Sequence, residues 1–123
     1  MGSEGLHEPA EFLDEAAVDR HRAFTSLVEE LQAVDWYDQR VTATRDSSLA
    51  DILAHNRDEE KEHASMTLEW LRRRDPALDG HLRTYLFTTE PVTEVEAETE
   101  AAGGPTPTAT GSLGIGSLKG ALR

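Results

Sequence analysis

The sequence predicts an all-α fold: an antiparallel two-helix hairpin plus a short C-terminal helix, with two hairpins docking into a four-helix bundle. Three observations carry this. Apolar residues recur at helical spacing up to about Glu90, no Gly or Pro interrupts positions 10 to 45, and the next breaker is Pro76. No alternating strand pattern appears.

The elements follow in order. Pro9 suits a first helical turn, and Glu11, Asp14 and Glu15 complement the positive end of a helix dipole, so one long helix is expected over positions 10–45. Ser48 followed by Asp51 resembles a capping box, which starts a second helix running to Arg74. The short link from Thr44 to Ser47 makes the pair antiparallel. Asp75-Pro76 can cap a third helix whose Leu78, Leu82, Tyr85 and Leu86 share a face before Thr88, Thr89 and Pro91 end it. Residues 1–8 read as a disordered N-terminus and 9–90 as the helical hairpin domain. Positions 91–110, rich in Glu, Thr, Ala, Gly and Pro without periodicity, read as a flexible linker, and 111–123 as a separate tail.

Composition narrows the chemistry. The chain has 123 residues, 24 Asp plus Glu against 12 Lys plus Arg, a formal net charge of −12, five His and no Cys. Without Cys there is no disulfide scaffold, thiolate nucleophile or iron–sulfur cluster, so any metal must sit on oxygen and nitrogen. The only basic run is Arg72-Arg73-Arg74, which argues against nucleic acid as a partner, whereas cations suit the acidic surface. No stretch approaches the roughly 20 apolar residues of a membrane span. The acidic N-terminal stretch lacks the basic flank of a signal peptide, which predicts a cytoplasmic protein.

A first helix of some 36 residues would be about 54 Å long, too extended for two helices to enclose a core. A second copy of the chain is the expected cover, because two antiparallel hairpins face to face make a bundle and two-fold contacts are the commonest symmetric ones.

On the first helix the stripe Ala23, Leu27, Glu30, Val34, Tyr37, Val41 places one carboxylate among apolar residues. On the second, Leu49, Ile52, Leu53, Asn56, Glu60, His63, Thr67 and Trp70 form the matching stripe, with Glu60 and His63 three apart. A buried carboxylate without a partner costs several kcal/mol or takes up a proton, and no Lys or Arg falls on these stripes, so a bound metal is the expected compensation. Di-iron carboxylate bundles use one Glu from each of two helices and Glu-x-x-His from each of two others. One chain carries half of that set, and a homodimer supplies Glu30, Glu60 and His63 twice. Mixed carboxylate and imidazole ligands suit iron or manganese. The bland reading of a lone Glu-x-x-His is a solvated helix face. The zincin pattern is absent, since Thr67 stands where its second His would fall. A second polar line, Glu29, Gln32 and Trp36 on the first helix with His55, Glu59 and Glu62 on the second, reads equally as a cation access path or a charged surface face.

The segments EELQAVDWYDQR, Glu29 to Arg40, and ILAHNRDEEKEHASMTLEWLRR, Ile52 to Arg73, resemble the encapsulated ferritins of the ferritin-like superfamily, over most of positions 7–90. The resemblance implies a ferritin-like four-helix bundle formed by dimers, an inter-subunit di-iron ferroxidase centre and a ring-shaped decamer. It implies that Fe(II) is oxidised with dioxygen and that Fe(III) passes to the lumen of an encapsulin shell for storage there. The ferroxidase ligands carry onto Glu30, Glu60 and His63, and Tyr37 matches the tyrosine beside that centre. Metal access in the family uses two glutamates. Glu29 matches the first, but Gln32 stands where the second is expected, which predicts weaker cation binding there, and Trp36 is expected as an interface residue lining that access face. His55, Glu59 and Glu62 match a secondary metal position. Calcium is a further cation expected at access or assembly positions.

The tail GSLGIGSLKG, residues 111–120, is similar to the cargo-loading peptide that docks such ferritins on the inner shell wall. In an extended segment Leu113 and Ile115 point the same way and the glycines allow close backbone approach, which suits pocket or strand docking. These readings predict a ferroxidase inside an encapsulin nanocompartment. The alternative is a non-catalytic acidic helical oligomer that binds divalent cations structurally.

Overall fold

The computed structural model describes residues 5–103. Residues 1–4, positions 104–110 and the 111–123 tail lie outside the described residues. The order is a 3₁₀ turn at Ala10–Phe12, α1 at Glu15–Ala43, α2 at Ser47–Arg72, α3 at Pro76–Tyr85 and α4 at Val92–Ala101, with no strand among the described residues. Among the described residues, no helix is long and apolar enough to cross a membrane.

α1 begins later than Pro9. Pro9 instead precedes the 3₁₀ turn, Leu13 is extended, and the carboxylate of Asp14 accepts a hydrogen bond from the Ala17 N–H at 2.8 Å. An aspartate at this position satisfies an orphan amide that Pro9 could not, so the helix nucleates there. Residues 5–8, expected to be disordered, are placed. Gly5 lies so close to His21 that a Cβ on it would stand 2.7 Å from the imidazole Cε1.

The cap of α2 also differs from expectation. Asp46, rather than Ser48, closes the helix start: its Oδ1 accepts from the Leu49 N–H at 3.0 Å and from the Ser48 hydroxyl at 2.7 Å. The Ser48 hydroxyl first, and the Leu49 amide next, hold the Asp46 carboxyl below its ordinary value of 3.8. Ser48 thus serves the cap as a donor to Asp46.

The described chain divides into two compact units, one through Trp70 and one from Leu71 onward. In the first, two contacts tie the helices together: Arg57 to Asp38 at 2.9 Å and Thr67 to Glu30 at 3.3 Å. Moving forward on α1 from 30 to 38 moves backward on α2 from 67 to 57, so the hairpin is antiparallel. The α1 stripe from Ala23 to Val41 is half-buried throughout, and Ala64 of α2 is buried. A second apolar line on α1, Phe24, Val28 and Leu31, stays exposed, as do Ile52 and Met66 of α2. Two helices alone leave this much apolar surface uncovered.

The second unit is built on Leu71, Val95 and the buried Asp79 and Gly80, with α3 packed on α4. Asp75 caps α3 as the sequence predicts, accepting from the Leu78 N–H at 3.0 Å with Pro76 following in the first turn. Asp79 is only 3% exposed and is held by two guanidiniums: Arg83 Nε donates to both carboxylate oxygens at 3.0 Å, and Arg72 Nη1 donates to Oδ1. α4 corrects the reading of positions 91–110 as structureless linker over Val92–Ala101. α4 packs on α3 and buries one residue, Val95, a tertiary support that a segment written mostly in Glu, Thr and Ala conceals. Gly103, at φ +102°, ends it in a conformation that only glycine adopts freely. Between α3 and α4, Phe87 sits at φ +62° and is 97% exposed. A bulky residue in that left-handed region costs about 1–2 kcal/mol.

Candidate metal centre

The contacts Glu30–Thr67 and Asp38–Arg57 bracket one stretch of the hairpin, from 30 to 38 on α1 and from 57 to 67 on α2. Glu30, Tyr37, Glu60 and His63 all lie within it.

Glu30 is half-buried on the face that α1 turns to α2. Its Oε2 accepts a hydrogen bond from the Thr67 hydroxyl at 3.3 Å. Its Oε1 is shut off from solvent and has no hydrogen-bond partner among the described residues. A buried anionic oxygen in that condition is costly unless a cation or a proton meets it.

Glu60 and His63 project from α2 one turn apart, with His63 Nδ1 3.6 Å from Glu60 Oε1, the Glu60 side chain 28% and the His63 side chain 46% exposed. That separation is too long for a hydrogen bond, so neither group has spent its lone pairs on the other. Tyr37 is half-buried, and the Arg40 guanidinium stands 5.3 Å from its ring centroid, within cation–π range.

The second polar line is on the outside. His55 Nε2 lies 3.2 Å from Glu59 Oε2, both side chains more than half exposed, and Glu62 is exposed as well. Glu29, Gln32 and Trp36 are exposed on α1, Trp36 by 48%. Among the described residues, no group of three or more His, Asp or Glu within one chain is arranged to hold a metal. The candidate ligands therefore form two partial sets in one chain, Glu30 on α1 and the Glu60–His63 pair on α2. Hard carboxylate oxygens beside an imidazole, with one oxygen buried and unpartnered, are a donor set that fits iron.

Two residues of the site escaped the sequence reading. Thr67, placed on the inward stripe with no role of its own, proves to be the partner of Glu30. Arg57 interrupts no apolar position, yet it reaches both Asp58 at 3.1 Å and Asp38 at 2.9 Å, and the two carboxylates raise its pKa, Asp58 more than Asp38. Nothing in the spacing singled out either contact.

Comparison with known proteins identifies the family of the chain. A protein described as "Encapsulated ferritin-like protein" from Rhodospirillum rubrum is 60% identical over 128 residues, spanning 98% of this chain and 91% of the relative. A "Ferritin-like protein" from Thermotoga maritima is 54% identical over 112 residues, spanning 91% of this chain and 96% of the relative. A crystal structure of a protein from Nitrosomonas europaea superposes with a TM-score of 0.71 at 58% identity, covering 72% of this chain and 98% of the other. The EncFtn-like family model matches residues 5–89, the stretch that holds α1, α2 and α3, and with these relatives it establishes that the chain belongs to the encapsulated ferritin-like family.

Proposed function

We propose that the chain is a ferroxidase, oxidising Fe(II) to Fe(III) with dioxygen at a centre shared by two copies, each contributing Glu30, Glu60 and His63. The observation that carries this reading is the buried, unpartnered Oε1 of Glu30 on the stretch of hairpin that also presents Glu60 and His63. A partner copy accounts for two further facts: one chain holds only part of a ligand set, and Phe24, Val28, Leu31 and Met66 are left exposed.

Iron is the substrate. Anionic carboxylate oxygens stabilise Fe(III) more than Fe(II), so holding iron on Glu30 and Glu60 favours electron transfer to dioxygen. The carboxylates also offset repulsion between two neighbouring cations. Tyr37, on the same face of α1 as Glu30, is positioned to serve as a hydrogen-bond donor or an electron relay. Glu29, Gln32 and Trp36 form the access side, weakened by the neutral Gln32, and His55, Glu59 and Glu62 a secondary cation position, at either of which calcium can stand in for iron. The name of the Rhodospirillum rubrum relative supports housing in an encapsulin shell. In this reading residues 111–120 are the docking segment and rings of dimers the assembled form.

The test is direct. Anaerobic protein given Fe(II) and then air should develop near-ultraviolet ferric absorbance far faster than buffer, and Glu30→Ala, Glu60→Ala and His63→Ala should each abolish the excess. If all three variants oxidise iron like the parent, the chain is not a ferroxidase of this kind. Iron bound but not oxidised would favour a structural cation-binding role.

A further inference from the structure

Helical Ser and Thr side chains commonly donate back to the carbonyl four residues earlier. Thr42 does so to Asp38 at 3.0 Å, Ser65 to Lys61 at 2.8 Å and Thr84 to Gly80 at 2.8 Å. Thr67 does not. Its hydroxyl crosses from α2 to α1 and donates to Glu30 Oε2 at 3.3 Å. It had two other places to turn: the carbonyl of His63 one turn back, and the open groove of about 480 Å³ that it lines with Arg22, Ser26, Met66 and Trp70. The donor therefore goes to a carboxylate whose other oxygen, Oε1, is buried and has no partner among the described residues.

We infer that Thr67 is a positioning residue: it fixes the rotation of the Glu30 carboxylate, so that this ligand is ordered before a cation arrives. The inference rests on the reading of Glu30 as a metal ligand. A glutamate with one oxygen pinned has lost most of the freedom about its terminal bond, and a ligand ordered before the metal arrives loses less entropy on binding. The length of the bond matters. A strong O–H···O⁻ bond is about 2.5–2.7 Å, and at 3.3 Å the hydroxyl orients the carboxylate without drawing off much of the charge that the cation needs. Thr67 is half-buried on the stripe of α2 that carries Glu60 and His63, and its branched side chain offers a methyl group to the apolar pattern as well as the hydroxyl that serves Glu30. The residue has one function per branch.

The test uses the full-length chain and Fe(II) alone, titrated under argon and followed by calorimetry. Thr67→Val keeps the shape and removes the donor. It should weaken the Glu30-dependent binding of Fe(II) by about 10–100-fold. Thr67→Ser, which keeps the hydroxyl, should bring affinity back to within a few-fold of the parent. In aerobic assays Thr67→Val should raise the Fe(II) concentration for half-maximal rate more than it lowers the maximal rate. Helicity and melting temperature without metal should stay near those of the parent for both variants. Should Thr67→Val fail to fold, Thr67→Ala against Thr67→Ser makes the same comparison. If Glu30→Ala abolishes binding while Thr67→Val binds like the parent, Thr67 plays no positioning part and the metal site stands. If Glu30→Ala itself binds like the parent, the ligand reading fails and this inference falls with it.

Discussion

Arg57 Nη1 of α2 lies 2.9 Å from Asp38 Oδ1 of α1, and this contact, together with Thr67–Glu30, sets the register in which the two helices meet. The Arg57 side chain is 22% exposed and that of Asp38 62%, so the pair has one foot in the hairpin interface and one in water. Register matters to the site because Glu60 and His63 lie between these two ties. A slip of one residue would rotate them by about 100° away from the face of Glu30.

Charge reversal checks this role. Arg57→Asp alone should lower the melting temperature and place two acids face to face, and Asp38→Arg alone should cost less because Arg57 keeps Asp58, 3.1 Å away. The double exchange should recover part of the loss, with a coupling that shrinks in high salt. A thermal melt of the four proteins at low and high salt gives the cycle, and purely additive losses would show that the contact does not hold the register.

The Asp46 cap gives the hairpin an acid sensitivity of known sign. Its carboxyl is held below 3.8, chiefly by the Ser48 hydroxyl and then by the Leu49 amide, so its folded pKa is depressed. A depressed acid stabilises the fold above its unfolded value and loses that contribution as pH falls below 3.8 toward the lowered folded value. Asp46→Asn retains an acceptor for the Leu49 amide but cannot titrate. The variant should therefore lose less helicity than the parent over the acid range, measured by circular dichroism against pH, although it begins slightly less stable at neutral pH.

How far the sequence carried is plain from particular residues. α1 and α2 were legible because a helical apolar period with no Gly or Pro before Pro76 has few other solutions, and Glu30, Glu60 and His63 stood out as the polar exceptions on it. Their caps were not legible in detail: with Asp46, Ser47 and Ser48 in a row, only geometry decides which accepts and which donates. α4 was hidden because a single buried Val95 orders a helix otherwise written in Glu, Thr and Ala. Thr67 was hidden for a related reason. Its methyl group satisfies an apolar pattern while its hydroxyl acts across the interface, and a pattern registers only the first.

Asp79 is the acidic residue most completely enclosed in the second unit, at 3% exposure, with Arg72 and Arg83 donating to it. Asp79→Ala would leave two guanidiniums without this acceptor. The Arg83 side chain, 54% exposed, can turn to water, whereas that of Arg72, at 27%, is more confined. The expected loss is therefore about 1–3 kcal/mol, the cost of unmade hydrogen bonds to a charged group rather than of a fully buried lone charge. Asp79→Asn, which keeps two acceptor-sized atoms and one carbonyl, should lose less. Chemical denaturation of both variants, read by helicity, separates the outcomes, and equal stability to the parent would mean the cluster is incidental.

The last expectation concerns assembly. Under the proposed reading, two copies bring Glu30, Glu60 and His63 to one place, so without metal up to four carboxylates approach each other with no cation between them. Each buried oxygen such as Glu30 Oε1 then opposes association, and bound Fe(II) reverses the sign of that interaction. Linkage gives the scale: at an Fe(II) concentration a hundredfold above its dissociation constant, association gains about 2.7 kcal/mol, close to a hundredfold in the dimer constant. Anaerobic sedimentation of the chain with a chelator and with Fe(II) should show mass shifting to the dimer or beyond only in the second case. Glu30→Gln, which removes charge while keeping size, should behave oppositely, associating more readily than the parent without metal and gaining little when Fe(II) is added. A parent whose mass is indifferent to iron, with Glu30→Gln behaving identically, would place these carboxylates outside the interface and leave exposed apolar residues such as Phe24, Val28, Leu31 and Met66 to drive association.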